Sequence, residues 1–559
     1  MSSHNIVLGP LLGLEGEHDQ ATIYSVCFLS ENDVSAATLA YRTAKQSLRS
    51  EFTLISSLGR GKFWRAEIAI PLTQLDLVCD YQILIDEQPA SYAQTRNNLV
   101  TDWSFFCPAA KQQVQLAFAS CNGFSSDKVR TQHPAPIDYL WQRMQQQQAA
   151  HMAAMPYTEV VDAPYAALIM GGDQIYADAI FNEKQPLYAW SQKPLKDQLT
   201  APVSDTLRQR IDTFYFDTYL RSWTQSAALR YCLASIPSIM MWDDHDIIDG
   251  WGSQPYRLET SPTYQAMFDS AKKYFTLFQL RGTNNRALQQ RTAAPAHFGM
   301  TLNFRDYGLL VMDNRSQRTL HNIMGSGKQD FIQGLADLQA DWQAGQKLLI
   351  LSGVPFLYRH FSESDHNIRL SIQFDAYDDM ADHWRFSTHY DEMCSILQRL
   401  LQFQAELQTQ AQTKVFIISG DVHVAASGTY REQPGPNNQS GQGNQAGLGN
   451  IVQLISSGIV HPPPLSMEQS VIRLASSVTQ PDIDLGGGCV LSATLRKDAA
   501  GNRFLFHRNY ACMHEGSDHK VWVNWHYETI DFPNANDLTA RAQKLDSPTL
   551  GYQVLGLPY

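Results

Sequence analysis

The 559-residue sequence predicts an α/β fold preceded by an all-β region, and three observations support this prediction. From about residue 111, short apolar strands alternate with helical segments, a pattern typical of a layered α/β domain. Before that point, β-branched and aromatic runs are separated by turn residues, as in an antiparallel β-sandwich. Polar residues follow the later strands directly. We therefore predict two domains, residues 1–110 and 111–559.

The predicted N-terminal β-sandwich contains runs such as 21–28, 63–70 and 80–85, with a turn at 58–61. These runs alternate in polarity or are rich in β-branched and aromatic residues. They carry no dense cluster of side chains that could bind a metal. We interpret this region as a structural or substrate-shaping addition to the second domain.

The second domain is predicted to contain short strands, most of them almost wholly apolar, as strands buried on both faces are. The predicted strands are 114–119, 166–170, 236–242, 308–312, 347–351, 414–418, 451–455, 504–506 and 520–525. Helical periodicity predicts two helices within 204–233, and further helices at 263–280 and 390–410. Residues 431–447, rich in Pro, Asn, Gln, Ser and Gly, are predicted to form a flexible surface loop.

Composition narrows the classes of function. Hydrophobic residues make up 44% of the chain and charged residues 18%, as in an ordinary globular protein. A net charge of −12 does not indicate the basic surface by which proteins generally bind nucleic acid or an anionic membrane. We see no secretory signal and no run of apolar residues long enough to span a membrane. The eight scattered cysteines, with no CxxC pair, favour a reduced, cytoplasmic compartment.

Polar clusters at the strand ends are the main functional signal, because side chains there leave the packed layer and converge. The most acidic stretch, 243–249, contains four carboxylates and one histidine. Like charges this close repel each other unless a cation lies among them. The candidate side chains at successive strand ends are Cys121, Asp173, Tyr176, Asp243, Asp244, His245, Asp246, Asp249, Asp313, Arg315, Asp421 and His423.

Each candidate also has a structural interpretation when it is taken singly. Asp173 alone could be a helix N-cap or turn residue, His423 a hydrogen-bonded core histidine, and Cys121 a small buried hydrophobe. The set as a whole predicts a metal site. Carboxylates favour Ca²⁺, Mg²⁺ or Mn²⁺, whereas a thiolate and a phenolate from Cys121 and Tyr176 suit a ferric ion or a softer metal.

Two arginines near these strand ends could bind an anionic ligand. Arg315 is placed either for a bidentate contact with an anionic group such as phosphate or for a salt bridge to Asp313 or Asp246. Arg508 is a weaker candidate for substrate binding. The segment 382–384 follows an acidic run and is interpreted as structural, with an entrance lid as the alternative.

Four blocks together resemble one known family. Ser120-Cys121, the run 172–178 (GDQIYAD), the run 242–246 (WDDHD) and the run 419–423 (SGDVH) are similar to the PhoD-like (alkaline phosphatase D) branch of the calcineurin-like metallophosphoesterases. Asp313-Asn314-Arg315 after a strand also resembles that branch. The similarity covers about 111 to 530, and an N-terminal β-domain is likewise a feature of the family.

The resemblance implies a layered βαβα sandwich with two or more metal ions, a ferric ion with calcium, and Mn²⁺, Mg²⁺ or Zn²⁺ as alternatives. It implies phosphate mono- and diester hydrolysis by a metal-bound hydroxide. Cys121, Asp173 and Tyr176 would bind the iron-type ion, with Asp173 bridging. Asp244, Asp421 and His423 would complete the metal shell.

The same resemblance implies that His245 would protonate the leaving group or stabilise the transition state, and that Asp246 would orient it. Arg315 would stabilise the developing charge, and Asp249 and Arg508 are candidate substrate contacts. Two departures leave questions open: the superfamily's Asp-x-His is absent at 120–122, and Asp249-Gly250 replaces an Asn pair.

Two competing hypotheses remain. The first is a non-catalytic or regulatory module that binds a phosphorylated ligand, and the intact His245 and acidic set argue against it. The second is a different metallohydrolase, acting on an acyl or lactone bond, and the absence of an HxHxDH run argues against it.

Overall fold

The structure is a computed structural model, and it describes residues 6–95, 98–132, 137–288, 297–358, 382–407, 413–433, 450–477, 481–498, 500–528 and 550–557. The chain is mixed α/β, as predicted. Most of the loop predicted at 431–447 lies outside the described residues, although Arg431 and Glu432 end a strand. In the described part of the chain, every helix is too short or too polar to cross a bilayer.

The strands are numbered in chain order: β1 (Ile6–His18), β2 (Ala21–Ser30), β3 (Thr38–Arg42), β4 (Ser47–Glu51), β5 (Thr53–Leu58), β6 (Gly61–Pro71), β7 (Leu77–Ile85), β8 (Gln88–Pro89), β9 (Tyr92–Thr95), β10 (Asn98–Val100), β11 (Trp103–Cys107), β12 (Gln115–Ala119), β13 (Tyr165–Gly171), β14 (Ser238–Met241), β15 (Met300–Phe304), β16 (Tyr307–Val311), β17 (Lys347–Ser352), β18 (Lys414–Ser419), β19 (Ala425–Glu432), β20 (Asn450–Ser456), β21 (Ile483–Asp484), β22 (Val490–Leu495), β23 (Phe504–Leu505), β24 (Asn509–Glu515), β25 (Val521–Glu528) and β26 (Leu550–Leu557).

The α-helices are α1 (Asp127–Gln132), α2 (Tyr139–Ala153), α3 (Tyr188–Ser191), α4 (Leu195–Gln198), α5 (Asp205–Thr224), α6 (Ala227–Ser235), α7 (Tyr256–Glu259), α8 (Pro262–Tyr274), α9 (Gly327–Ala340), α10 (Tyr390–Glu406) and α11 (Ser466–Ser477). The periodicity over 204–233 correctly predicted two helices, α5 and α6. Ser204 and Ser226 cap them by accepting a backbone N–H with their side chains. The helix predicted at 263–280 is α8, followed by a π-helical turn, Phe275–Gln279.

The first large sheet has the order β26-β25-β24-β12-β13-β14-β1-β2-β6-β5. Strands β12, β13 and β14 are parallel, and β1 joins them parallel to β14, with Gly13 opposite Ser238. Strands β2, β6 and β5 continue the sheet in antiparallel fashion. Strands from both sides of residue 110 therefore belong to one sheet. The N-terminal region is rich in strands, as predicted, while the division at residue 110 stays a prediction.

The remaining strands of the N-terminal region form a smaller sheet, β11-β7-β3-β4, with β8 paired to β7. This sheet packs towards α6, since the Tyr81 hydroxyl on β7 donates a hydrogen bond of 2.6 Å to the Ala234 carbonyl. The N-terminal residues thus contact the α/β region both through a shared sheet and through a helix.

The second large sheet has the order β15-β16-β17-β18-β20-β19-β22-β21, with β23 paired to β19. Its central strands β16, β17, β18 and β20 are parallel. Along these strands, alternate side chains face opposite sides of the sheet. Leu309 and Leu349 belong to the core that also contains the first sheet. Leu310 and Ile350 pack in a second core with Leu397 of α10. The two sheets thus share one core, and α10 covers the outer face of the second sheet.

The parallel strands of both sheets end close together. The Cys121 amide donates to the Gly172 carbonyl at 3.2 Å, which joins the loops after β12 and β13. The Ile459 amide, after β20 of the second sheet, donates to the Ser120 carbonyl at 3.0 Å. The loops that follow β12, β13 and β20 therefore meet in one place. The polar clusters predicted such a meeting for the loops after β12 and β13, but not for the loop after β20.

Candidate metal centre

The backbone turns sharply where the candidate ligands leave their strands. Cys121, Asp173, Asp421 and His423 have φ angles of 56°, 55°, 66° and 52°. Non-glycine residues seldom adopt this left-handed conformation, and it recurs at functional sites that the surrounding structure holds in place. These turns direct four of the predicted ligands into the space where the two sheets end.

The structure brings most of the predicted ligands into three overlapping groups. They are Cys121–Asp173–His423, Asp173–Asp244–His245 and Asp243–Asp244–Asp421, and within each group the ligand atoms lie within 4.8 Å of one another. Asp173 and Asp244 each belong to two groups, so the cluster is continuous. We call Cys121, Asp173, Tyr176 and His423 the thiol half, and Asp243, Asp244 and Asp421 the carboxylate half.

In the thiol half, the Cys121 thiol donates to Asp173 Oδ2 at 3.2 Å. Ser457 Oγ lies 3.1 Å from Cys121 Sγ and accepts a 2.9 Å hydrogen bond from the His423 amide. Tyr176 Oη is 3.3 Å from His423 Nε2. Burial raises the pKa of the Cys121 thiol to about 11, and burial together with Cys121 raises the pKa of Asp173 well above its usual value. This half holds protons unless a cation displaces them.

His461 is a part of the site that the sequence analysis missed. Its ring stacks on the His423 ring with 3.6 Å between centroids, and its amide donates to the Cys121 carbonyl at 3.1 Å. Burial lowers the pKa of His461 to about 3 and that of His423 well below its usual value. His423 is therefore neutral, the form that binds metals. The sequence feature that could have identified His461 is its position shortly after the apolar strand β20.

In the carboxylate half, a buried arginine balances part of the charge. Arg315 Nε donates to Asp243 Oδ1, and Arg315 Nη2 lies 3.4 Å from Asp244 Oδ1. Its Nη1 and Nη2 also donate to the two oxygens of Asp382 at 2.7 and 2.9 Å, and Nη1 reaches the Trp251 carbonyl at 3.1 Å.

These contacts correct the predicted role of Arg315. Its side chain is completely buried, and its donors already serve Asp243, Asp382 and a carbonyl. The salt-bridge interpretation is the better one, with partners other than the predicted Asp313 and Asp246. Asp382, interpreted from the sequence as structural, is accordingly a direct partner of a residue that holds the site together.

Arg508 is also not a substrate contact in the structure. Its Nε and Nη2 donate to the Glu528 carboxylate, and its Nη1 donates to the Ile137 carbonyl at 2.9 Å. Both side chains are buried. A buried ion pair is expensive to break, so Arg508 stabilises the strand pair that carries it.

The orienting partner of His245 is Asp178, and the predicted partner Asp246 has another role. His245 Nδ1 lies 2.8 Å from Asp178 Oδ2. Asp246 instead accepts the backbone amides of Gln174 and Asp243, at 3.1 and 2.9 Å. The physical reason is local: the short 3₁₀ helix Asp244–Asp246 has a capping box with Asp243, which turns the Asp246 carboxylate back onto the backbone.

The other edge of His245 faces the mouth of the site. Its Nε2 lies 4.0 Å from Asp249 Oδ1, and the Asp249 side chain is 60% exposed. The ring of Tyr176 packs at 4.3 Å from the His245 ring. Burial lowers the pKa of His245, but Asp178 and Asp244 more than offset this effect and raise the pKa well above its usual value.

The buried carboxylates fit a bound cation. Asp173 Oδ1, Asp243 Oδ2 and Asp244 Oδ1 are buried and accept no hydrogen bond from the described residues, although Asp244 Oδ1 has the 3.4 Å ion pair with Arg315. A buried anionic oxygen without a donor costs free energy, and a metal ion is one group that can remove this cost. The donor set combines carboxylates, which hard cations prefer, with a thiol, a phenol and an imidazole.

Two glycines allow the backbone to approach Asp243. A Cβ at Gly172, which has a φ of 98°, would lie 2.6 Å from the Asp243 Cβ. A Cβ at Gly353 would lie 2.7 Å from Asp243 Oδ2. Both distances are too short for a side chain, so the loops after β13 and β17 can close around Asp243 only with glycine at these positions.

Comparison with known proteins gives one family. The sequence profile described as PhoD related phosphatase matches residues 86–372. This range contains the thiol-half residues Cys121, Asp173 and Tyr176, as well as Asp244 and His245. Asp421 and His423 follow it in the chain.

Individual relatives are distant. The chain is 23% identical over 471 residues to the Saccharomyces cerevisiae protein named "Uncharacterized protein YGR266W", covering 72% of this chain and 63% of that protein. It thus spans less than two thirds of this relative. Among solved structures, a Bifidobacterium dentium β-glucuronidase complexed with coumarin-3-O-glucuronide has 8% identity over 68% of this chain and 58% of that chain, with a TM-score of 0.21. A Bacteroides uniformis β-glucuronidase has 7% identity, covering 98% of this chain and 60% of that chain, with a TM-score of 0.19. Neither likeness supports a structural argument.

Proposed function

The chain belongs to the family of PhoD-related phosphatases, and we propose on that basis that it is a metal-dependent phosphoester hydrolase acting on phosphate mono- or diesters. The observation that supports this proposal best is the continuous cluster of ligand atoms that ends in three buried carboxylate oxygens without donors. We further propose that the two sheets and their helices form the layered βαβα sandwich of the calcineurin-like metallophosphoesterases.

Two ions would be held by the two halves of the cluster. Cys121, Tyr176 and His423 would bind an ion of the ferric type, and Asp244 and Asp421 a hard cation such as calcium, with Asp173 between them. When bound, such ions would activate a water molecule towards phosphorus and neutralise the charge that develops there.

His245 would donate a proton to the leaving oxygen. Asp178 accepts from Nδ1 and so fixes the ring orientation, which leaves Nε2 facing the mouth of the site near Asp249. Arg315 would keep Asp243 and Asp244 in place instead of touching the substrate. A cytoplasmic location remains a prediction from the cysteine distribution.

The test combines metal analysis with hydrolysis of aryl and alkyl phosphate mono- and diesters. Asp173→Asn should lose bound metal and hydrolysis together. His245→Ala and Asp178→Asn should keep their metal and lose about 10²-fold or more in kcat, mainly for poor alkyl leaving groups that need a proton. Asp269→Asn, an exposed carboxylate on α8, is the control and should behave as wild type.

Three outcomes would count against the proposal. Wild-type hydrolysis by both Asp173→Asn and His245→Ala would show that the site lies elsewhere. A wild-type protein that binds metal but hydrolyses no phosphate ester would favour the alternative, a module that binds a phosphorylated ligand. Equal losses for aryl and alkyl substrates in Asp178→Asn would contradict the role in proton transfer.

A further inference from the structure

A buried glutamine outside the ligand groups, Gln279, lies behind the metal centre. It ends the π-helical turn that follows α8, and its side chain is fully buried. Its Nε2 donates to Asp246 Oδ1 and to the Tyr219 hydroxyl of α5, both at 2.9 Å. Its Oε1 accepts no hydrogen bond from the described residues. A buried acceptor without a donor costs free energy, so the gain from an amide at this position must come from the two bonds that Nε2 donates.

Asp246, the partner of Gln279, joins the loops after β13 and β14. Its Oδ1 accepts the backbone amides of Gln174 and Ile175 at 3.1 and 3.2 Å. Its Oδ2 accepts the backbone amide of Asp243 at 2.9 Å. Gln174 directly follows Asp173 of the thiol half, whereas Asp243 belongs to the carboxylate half. This one carboxylate therefore holds a loop of the thiol half against a loop of the carboxylate half.

Gln279 differs from the other donors to Asp246. Among the described donors, it alone is a side chain and it alone lies outside the two loops. The three backbone donors move with the loops that contain them, so only Gln279 ties the carboxylate to the helices behind. The same π-helical turn also contacts the loop after β14 through Phe275, whose ring stacks on Trp242 with 4.4 Å between centroids. Turns of this kind often occur at functional sites.

We propose that Gln279 is a positioning residue of the metal centre, which anchors Asp246 and so fixes the separation of the loops after β13 and β14. This inference rests on the two-ion centre proposed above, and not on the reaction that the centre performs. The separation matters most for Asp173 and Asp244, which come from the two loops and belong to one group whose ligand atoms lie within 4.8 Å of one another. If the loops moved apart, Asp173 could no longer serve both ions.

The experiment measures Mn²⁺ binding to the metal-free, full-length protein in the absence of substrate. The electron paramagnetic resonance signal of free Mn²⁺ gives the affinities for the first and the second ion. Gln279→Met removes the donor to Asp246 and keeps the size of the side chain. We expect this substitution to weaken binding of the second ion by about tenfold and to leave the first within about twofold, since groups behind the metal ligands orient them.

Tyr219→Phe is the matched control, because it removes the other hydrogen bond of the same amide and leaves the contact with Asp246. Its two Mn²⁺ affinities should equal those of the wild type. Asp246→Asn is a second variant, and it should weaken the second ion more than Gln279→Met does, because an amide cannot accept all the N–H groups that the carboxylate accepts. Urea denaturation of the metal-free proteins measures stability separately. If Gln279→Met fails to fold, the comparison of Asp246→Asn with Tyr219→Phe decides.

A role in stability alone would lower the stability of Gln279→Met and Tyr219→Phe without changing the ratio of the two affinities. An unchanged ratio in Gln279→Met would therefore overturn the positioning role. Uptake of a single Mn²⁺ by the wild type would also overturn it, because the protein would then have no pair of ions to separate. A wild type that binds two ions but hydrolyses no phosphate ester would contradict the proposed function and leave this inference intact, so the two failures are distinct.

Discussion

The two halves of the candidate metal centre are both buried and acidic, but they differ in how their charge is balanced. In the carboxylate half, Arg315 contacts Asp243 and Asp244 directly, and Arg315 and Arg318 are tied to Asp382. In the thiol half, no lysine or arginine of the described residues forms an ion pair with Asp173. Its charged neighbours are His245, which favours the ionised form of Asp173, and Asp244, which opposes it. The carboxylate half therefore has a resident arginine, whereas the thiol half has only the His245 ring as a counter-charge.

The pKa values of the two halves follow this difference. Burial raises the pKa of Asp243 to about 6 even though the Arg315 charge lowers it. In the thiol half, burial raises the pKa of Cys121 to about 11, and the serine hydroxyls that lower it have a smaller effect. Metal binding must displace protons in both halves, since burial also raises the pKa of Asp421 in the carboxylate half, but only the thiol half must in addition ionise a thiol.

The largest expected effect comes from removing the resident cation. Arg315→Met should lower the free energy of unfolding by about 3–5 kcal/mol, because it leaves Asp243 buried without its ion-pair partner and leaves Asp382 with Arg318 alone. Urea denaturation of the metal-free protein measures this. Arg208→Gln, an exposed arginine, should change stability by about 0.5 kcal/mol or less. A loss below about 1 kcal/mol in Arg315→Met would show that Arg315 does not balance the carboxylate half.

Metal content should separate the two halves. Cys121→Ser should lose the softer ion and retain the hard cation, and Asp421→Asn should do the reverse, since each residue belongs to only one half. We expect a loss of affinity of at least about tenfold for the affected ion, measured by metal analysis after dialysis. If either substitution removes both ions equally, the halves are not separate binding sites.

The smallest effect is a difference in pH dependence. Asp243 holds its proton below about pH 6 and is ionised above, so hard-cation affinity in Cys121→Ser should fall as pH drops from 7 to 5. Cys121 keeps its proton up to about pH 11 without metal. Affinity for the softer ion in Asp421→Asn should therefore keep rising between pH 6 and 9, by up to about tenfold per unit. Parallel pH profiles for the two ions would contradict the comparison.

The strands, and the position of the candidate ligands at the strand ends, could be predicted because both follow from residues that are close together in the sequence. Apolar runs become buried strands, and the residue that follows such a strand lies at the sheet edge. That rule placed Cys121, Asp173, Asp244, Asp421 and His423 among the candidate ligands, which the structure brings into the three groups described above. The roles of Arg315 and Arg508 could not be found in this way, since their partners Asp382 and Glu528 lie far along the chain.

The partner of His245 shows a second limit of prediction from sequence, because the structure pairs this histidine with Asp178 and not with the predicted Asp246. Both carboxylates lie in motif blocks near His245, and sequence distance favoured Asp246. The structure selects Asp178 because a capping box within three residues turns Asp246 towards the backbone. Such a choice depends on side-chain direction within one helical turn, which spacing alone does not specify.

The position of β1 affects how the chain can fold. This strand lies inside the large sheet, hydrogen-bonded to β2 on one side and to β14 on the other, with Gly13 opposite Ser238. The pair β1–β2 can form early as a local hairpin, but its parallel partner is supplied much later in the sequence. Contacts between distant residues slow folding, and until they form the hairpin exposes an unpaired edge that invites association with other chains. The N-terminal strands therefore complete their sheet only once the strands that carry the metal ligands are in place.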